Sequence, residues 1–408
     1  MMSRTVRAPW NSISRAAVVV LAVTLLPVSA LAQPAPATFT VLYAFQGGSD
    51  GAYPGGKLLV DAAGNVYGTT VDGGDRYGFG TVYKVDPAGN EFILHEFSGK
   101  NDGGYGSPGL VQDAAGNLYG ATSAGGKSSC GGRGCGTVFK LDPTGKETVL
   151  YNFTGEDDGA SPNGNLILDG AGNLYGTAYW APYGYGGAVF KVDQSGNETV
   201  LHEFSGLPDG EFPIGGLWRD QHGNLFGTTS GGGGGACLAE GCGTVFKVNR
   251  KGKEIILYRF LGSPDGAAPF AGVIADSTGW LYGTTYNGGD PHCTDRGPGC
   301  GTVFKVNASG KEKVLYRFRN KKNERFPFSG LVQDAGGNLY GTTAGGDSAG
   351  TVFKLDPSGN ETVLYRFTGG VDGCGPAGSL TFDSADNLYG AARGCGAHGY
   401  GVIFKITP

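Results

Sequence analysis

The chain has 408 residues, of which 79 are glycine and 20 proline, a fraction approaching that of low-complexity sequence. Against this stand 22 Phe, 20 Tyr, 39% hydrophobic and only 16% charged residues, which exclude a solvated, disordered coil. The formal charge of -5, without any basic cluster, disfavours nucleic acid and anionic membranes as partners.

Residues 1–32 read as a secretory signal. Arg4, Arg7 and Arg15 form a basic start, "AAVVVLAVTLL" an apolar run too short for a membrane span, and Ala30-Leu31-Ala32 a small-residue cleavage site before Gln33. A retained N-terminal anchor is the alternative. Cleavage would take the formal charge from -5 to -8, because this segment holds three arginines and no other charged residue. Residues 33–408 are then a single exported domain, secreted or periplasmic, with no later membrane span.

From there the chain repeats itself. "GTVFK" and its variants begin at Gly80, Gly136, Gly187, Gly243, Gly301, Gly350 and Gly401, at intervals of 49 to 58 residues. Each unit predicts four short strands, A to D, of the types "GLVQD", "NLYGTT", "GTVFKLD" and "ETVLYRF" (residues 330–334, 338–343, 350–356 and 361–367). Tight glycine turns join A to B and C to D, whereas the B to C and D to A links are longer and vary between copies.

Four-stranded units of this period, each too small to bury both faces alone, predict an all-β fold: a seven-bladed β-propeller of antiparallel blades. No helical period supports a solenoid, and a parallel β-helix is disfavoured by the hairpin turns. The last unit ends at "GVIFKITP" without a strand D, while "TFTVLYAF" (residues 38–45) stands alone at the other end. The N-terminal strand is expected to complete the last blade, leaving only short, protected edges, and the protein is expected to be a monomer.

Residues present in every copy point to scaffold, because a catalytic group is needed once. Lys84, Lys140, Lys191, Lys247, Lys305, Lys354 and Lys405 recur sevenfold, and Glu91, Glu147, Glu198, Glu254, Glu312 and Glu361 follow in six units. A cross-strand charge pair, or a lysine stem lying on aromatic surface, is the expected role. Asp50, Asp102, Asp158, Asp209, Asp265 and Asp372, in the D to A loops, are expected to do turn chemistry; no cofactor is expected, with Ca²⁺ at these loops as the alternative. Eight cysteines in an exported chain predict four disulfides: Cys130 with Cys135, Cys237 with Cys242, Cys293 with Cys300, and Cys374 with Cys395, which bracket one repeat. A zinc site from the middle four is the competing reading.

The unit "GNLYGTT...GG...GTVFKLDPSGNETVLYRF" resembles the GloVer tandem-repeat proteins, exported bacterial chains with a choice of anchor domains. The resemblance covers essentially the whole mature chain and implies a repeat fold and export, not a reaction. More loosely, the "D..GNLY" turns look like those of NHL-type propellers and of seven-bladed streptogramin lyases.

Function is therefore sought where the copies differ. The long links emerge on one face, around one mouth of the central channel, and that face is the expected site. Its most distinctive loop, "AYWAPYGYGG", carries Tyr179, Trp180, Tyr183 and Tyr185 amid Pro and Gly, flat rings suited to stacking on sugars or peptide side chains; folding over the blade rim is the alternative. His95, His202 and His222 occupy structural or surface positions, whereas His292 and His398 lie in B to C loops. For an enzyme, His398 with Asp347 of the adjacent blade is the candidate acid–base pair, and Asp75, Asp290 and Asp295 are further unrepeated loop acids. The favoured reading is a binding or adhesion propeller without chemistry of its own, taking an extracellular glycan, small molecule or protein. The alternative is a propeller lyase or glycan hydrolase with its site at the channel mouth.

Overall fold

Seven four-stranded antiparallel blades surround a central axis in the computed structural model of the protein. It describes residues 1–2, 37–74, 78–106, 109–128, 130–180, 186–235, 237, 241–293, 299–319, 324–345 and 349–407. The expected signal segment, residues 1–32, lies outside the described residues except for its first two. Blade 6 is representative: Val332–Gln333, Leu339–Thr343, Thr351–Leu355 and Glu361–Arg366 pair in sequence order from the axis outward.

Both faces of each blade are covered, so strict alternation is lost. In the third strand of every blade two successive apolar residues, such as Val352 and Phe353, are fully buried on opposite faces. The last aromatic of strand D meets strand C of the next blade edge to face. The pairs are Phe45–Tyr83, Phe97–Phe139, Phe153–Phe190, Phe204–Phe246, Phe260–Phe304, Phe318–Phe353 and Phe367–Phe404, with centroids 5.0 to 5.3 Å apart. One such pair stands at each of the seven interfaces, which is why "VF" and "YRF" recur. The glycine of "NLYGTT" makes room for the same ring: a Cβ at Gly176, Gly227 or Gly283 would lie 2.6 Å from the phenylalanine Cζ.

The repeated polar residues hold turns and strand ends. In the A to B turns an aspartate such as Asp334 accepts from the Asn338 N–H at 2.9 Å, the Asn338 amide at 2.7 Å and the Tyr340 hydroxyl at 2.9 Å. Paired threonines such as Thr343 and Thr351 share a buried hydroxyl hydrogen bond at 2.8 Å between strands B and C.

Thr38–Ala44 pairs antiparallel with Val402–Thr407, from Thr38 opposite Thr407 to Ala44 opposite Val402, and closes the seventh blade. All four expected disulfides are present: Cys130–Cys135, Cys237–Cys242, Cys293–Cys300 and Cys374–Cys395. With every cysteine bonded to another cysteine, the zinc alternative falls.

Candidate binding site at the axial channel

The start of strand A in each blade faces the axis. Equivalent positions there are Lys57, Gly109, Asn165, Gly216, Gly272, Gly330 and Ser379. The position must be small because neighbouring backbones converge: a Cβ on Gly272 would overlap the Gly216 carbonyl oxygen of the adjacent blade. Neighbouring blades are bridged there: the Asn165 side-chain oxygen accepts from the Gly109 N–H at 2.8 Å, and the Ser379 hydroxyl accepts from the Gly330 N–H at 3.1 Å. This ring separates two cavities, and six of its residues, Lys57 among them, line both.

On the long-loop side lies a cavity of about 360 Å³ whose rim carries Ile214, Phe270, Phe328 and Arg393. Phe270 and Phe328 pack with centroids 5.4 Å apart and both touch Tyr286; Phe328 keeps 38% of its surface exposed. Arg393 is exposed at the end of Leu388–Gly394. Among the described residues lining this cavity none is Asp, Glu, His or Cys. Lys57 is reached by water through the channel, yet protein surrounds it. That enclosure lowers its ammonium pKa below the usual lysine value, since desolvation disfavours the charged form.

On the short-turn side lies a larger cavity of about 1140 Å³ with Gln112, Asp113, Asp169 and Gln194 on its walls. Its acids are turn residues of the repeat. Asp113 accepts from Asn117 and Tyr119, and Asp169 from Asn173 and Tyr175, so both carboxyls stay below their usual range although burial alone would raise them.

The repeat profile of the Gloeobacter/Verrucomicrobia repeat family matches residues 31–132, 80–295 and 239–408. The chain belongs to the Gloeobacter/Verrucomicrobia repeat family. Among solved structures it is similar to the extracellular domain of a protein from B. thetaiotaomicron, described in one structure as a hybrid two-component system and in another as a one-component system. Identities are 14% and 12%, TM-scores 0.55 and 0.54, and coverage 90% and 88% of this chain. The chain spans 39% of the length of each, and the likeness extends to the fold alone. A protein described as a gluconolactonase aligns at 14% identity over 91% of this chain and 92% of its own, with a TM-score of 0.46. No curated protein matches the sequence.

In this chain the repeated lysines lie on aromatic surface. Lys84 lies 4.5 Å from the Phe92 ring centroid, Lys305 4.5 Å from Trp280, Lys354 5.6 Å from Tyr340 and Lys405 5.5 Å from Tyr389. The cross-strand Lys–Glu pair is corrected by the register: Lys84 stands opposite Phe92 while Glu91 stands opposite Val85, so lysine and glutamate leave opposite faces. The repeat's glutamates instead reach the preceding blade, beside an aspartate of the D to A loop. Tyr43 donates to Asp50 at 2.8 Å with Glu91 near, and Tyr151 to Asp158 at 2.8 Å with Glu198 near. His95 and His202 take the tyrosine's place against Asp102 and Asp209, at 3.6 and 3.5 Å. Burial, aided by the neighbouring aspartate, pushes the Glu91, Glu147, Glu198, Glu254 and Glu312 carboxyls up to about 7. His202, Asp209 and Glu254 bring ligand-type atoms within 4.8 Å of one another. Because the same Asp–Glu contact recurs with tyrosine at other interfaces, this group is a latch between blades. Of the loop aspartates put forward for Ca²⁺, Asp372 spends both oxygens on the chain, accepting from Tyr365, from the Thr368 N–H and from the Thr368 hydroxyl, whereas Asp50 and Asp265 each keep one buried oxygen without a hydrogen-bond partner.

Of the site residues singled out by sequence, Tyr179 and Trp180 form one aromatic cluster with Phe212 of blade 4, at centroid distances of 4.6 to 5.5 Å, and Trp180 stays 40% exposed. Neither lines the channel cavities. Tyr183, Tyr185 and Asp347 lie outside the described residues, as do Asp75 and Asp295. His398 is exposed in the last B to C loop. His292 sits 2.9 Å from Asp290 through Nδ1, with its ring almost wholly in solvent. Lys57, Phe270, Phe328 and Arg393 were missed, although Lys57 is the one ionisable residue among seven equivalent ring positions.

Four disulfides fit an oxidising compartment. Among the described residues no helix is long and apolar enough to cross a membrane.

Proposed function

We propose that this protein is an exported binding propeller, secreted or periplasmic, which acts as a monomer. It holds an extracellular ligand, a glycan being the best fit, at the long-loop face without chemistry of its own. The observation that carries this reading is the long-loop mouth of the channel: aromatic surface from the exposed Phe328 and the half-buried Phe270 beside polar groups, with no acid–base pair among the described lining residues. Concave sites that combine apolar walls with a few fixed polar groups bind small molecules, and flat rings suit the apolar faces of sugars. The Tyr179–Trp180 cluster on the same face extends the surface available to a longer ligand.

A glycan and small-molecule binding screen on the exported protein, with and without chelator, tests this. Replacing Phe270 and Phe328 together by Ala is expected to weaken binding by about 2 to 4 kcal/mol, the range of interface anchors, with the fold retained. Replacing Trp180 by Ala should weaken only the longer ligands. Unchanged affinity in the Phe270 and Phe328 double variant would remove the channel mouth from the account, and turnover of any ligand in the screen would favour the enzyme.

A further inference from the structure

Lys57 and Arg393 are the charged groups among the described residues of the long-loop cavity, and both are cations. Neither has a described carboxylate beside it in that cavity. Lys57 stands at a ring position where the other six blades carry Gly, Asn or Ser, and Arg393 ends a strand B whose counterparts end in residues such as Ser123, Ser230 and Ala344. Two unrepeated cations converging on one aromatic-walled cavity, in a chain whose formal charge is negative, are not explained by the scaffold. Lys57 is exposed to the channel, and an anion there would gain a charge-assisted hydrogen bond, worth roughly twice a neutral one. Arginine at the rim adds a planar fork that matches a carboxylate.

We infer that the long-loop cavity takes a carboxylate-bearing ring compound, its acid group held between Lys57 and Arg393 and its ring laid on Phe270 and Phe328. The inference rests on the binding role of the long-loop mouth and names the ligand class. A carboxylate on a ring has two sources, an acidic sugar and an aromatic acid, and both present the same anion to the two cations. The cavity of about 360 Å³ accommodates one such ring.

The test is calorimetry with three probes: an oligosaccharide ending in glucuronate, its neutral glucose-ended counterpart, and 4-hydroxybenzoate. At least one acid should bind about tenfold or more tighter than the neutral sugar, and its affinity should fall as salt is raised. Lys57→Met and Arg393→Gln should each weaken that acid by about tenfold or more, with circular dichroism unchanged; Arg393 is exposed, so its variant folds even if the channel variant does not. Preference for glucuronate or for the benzoate identifies the source. Equal binding of glucuronate and glucose ends, with loss in the Phe270 and Phe328 variant, would overturn the anion site while leaving the binding role intact. An acid sensitive to Lys57→Met but not to Arg393→Gln would place the anion on the opposite side of the ring and overturn the proposal, as would failure of both acids to bind.

Discussion

Deleting residues 38–45 is expected to leave a protein that no longer forms a stable ring. Phe39 stacks on Tyr365 at 3.7 Å and packs on Phe404, while Phe45 is fully buried against Tyr83 of the first blade. The segment therefore ties the seventh blade to both of its neighbours. Phe45 is fully buried and Phe39, Val41, Leu42 and Tyr43 are partly buried, so their loss leaves apolar surface behind at up to about 1.5 to 3 kcal/mol for Phe45 and a fraction of that for each of the others. That total is a large part of the net stability of a domain, about 5 to 15 kcal/mol. The strand of Val402–Thr407 would also present an unpaired edge, a template for aggregation. Thermal melting and size-exclusion chromatography read the result. A monomer with an unchanged melting temperature would show that closure lies elsewhere.

Stability is expected to fall as pH rises from about 5 to 8. The Glu91, Glu147, Glu198, Glu254 and Glu312 carboxyls, ordinarily near 4.5, are raised to about 7 in the fold. Between those values the unfolded chain has released protons that the folded chain still holds, so each glutamate favours folding fully below 4.5 and loses that contribution by about 7. The A to B turn aspartates act in the opposite sense. Asp61, Asp113, Asp169, Asp220, Asp276, Asp334 and Asp383 are held below their usual value by hydrogen bonds, and their support is lost as pH falls through the folded-state values. The maximum should therefore lie in mild acid. Because the glutamates are half-buried, solvent screens each one and the effect is read from their sum. One carboxylate oxygen of each is buried without a hydrogen-bond partner, so Glu254→Gln combined with Glu312→Gln should raise stability at pH 8 and flatten the profile. A melting temperature that is flat or rises from pH 5 to 8 would contradict the interface assignment.

The blades were legible because the residues that build them are copied at every interface. "GTVFK", "YRF" and "D..GNLY" mark, in turn, a ring packed edge to face, its partner in the preceding blade, and a turn aspartate with its amide and tyrosine donors. Closure was legible for the same reason, since a unit without strand D and a strand without a unit complete each other. The repeated glutamate was read within its own blade, whereas its neighbours are in the preceding one. Twist between blades brings the start of one outer strand to the end of another, and no spacing along the chain encodes that contact.

The channel was less legible. Aromatic density drew attention to Tyr179 and Trp180, which pack on Phe212, while Phe270 and Phe328 were hidden in "APFAG" and "FPFSG", stretches that resemble the approach to a core strand. Lys57 carried a usable signal. Aligned on the start of strand A, the seven copies read Lys, Gly, Asn, Gly, Gly, Gly and Ser, and only the lysine can bear a charge. The convergence of backbones that makes this position small, and that leaves the lysine facing a water-filled axis, is a property of the closed ring.

A crystal structure of the protein with a ligand from the binding screen tests the central claim most directly, because the two cavities lie on opposite sides of the ring. The account predicts ligand density against Phe270, Phe328 and Arg393. Density confined to the opposite cavity, among Gln112, Asp113 and Asp169, would contradict it.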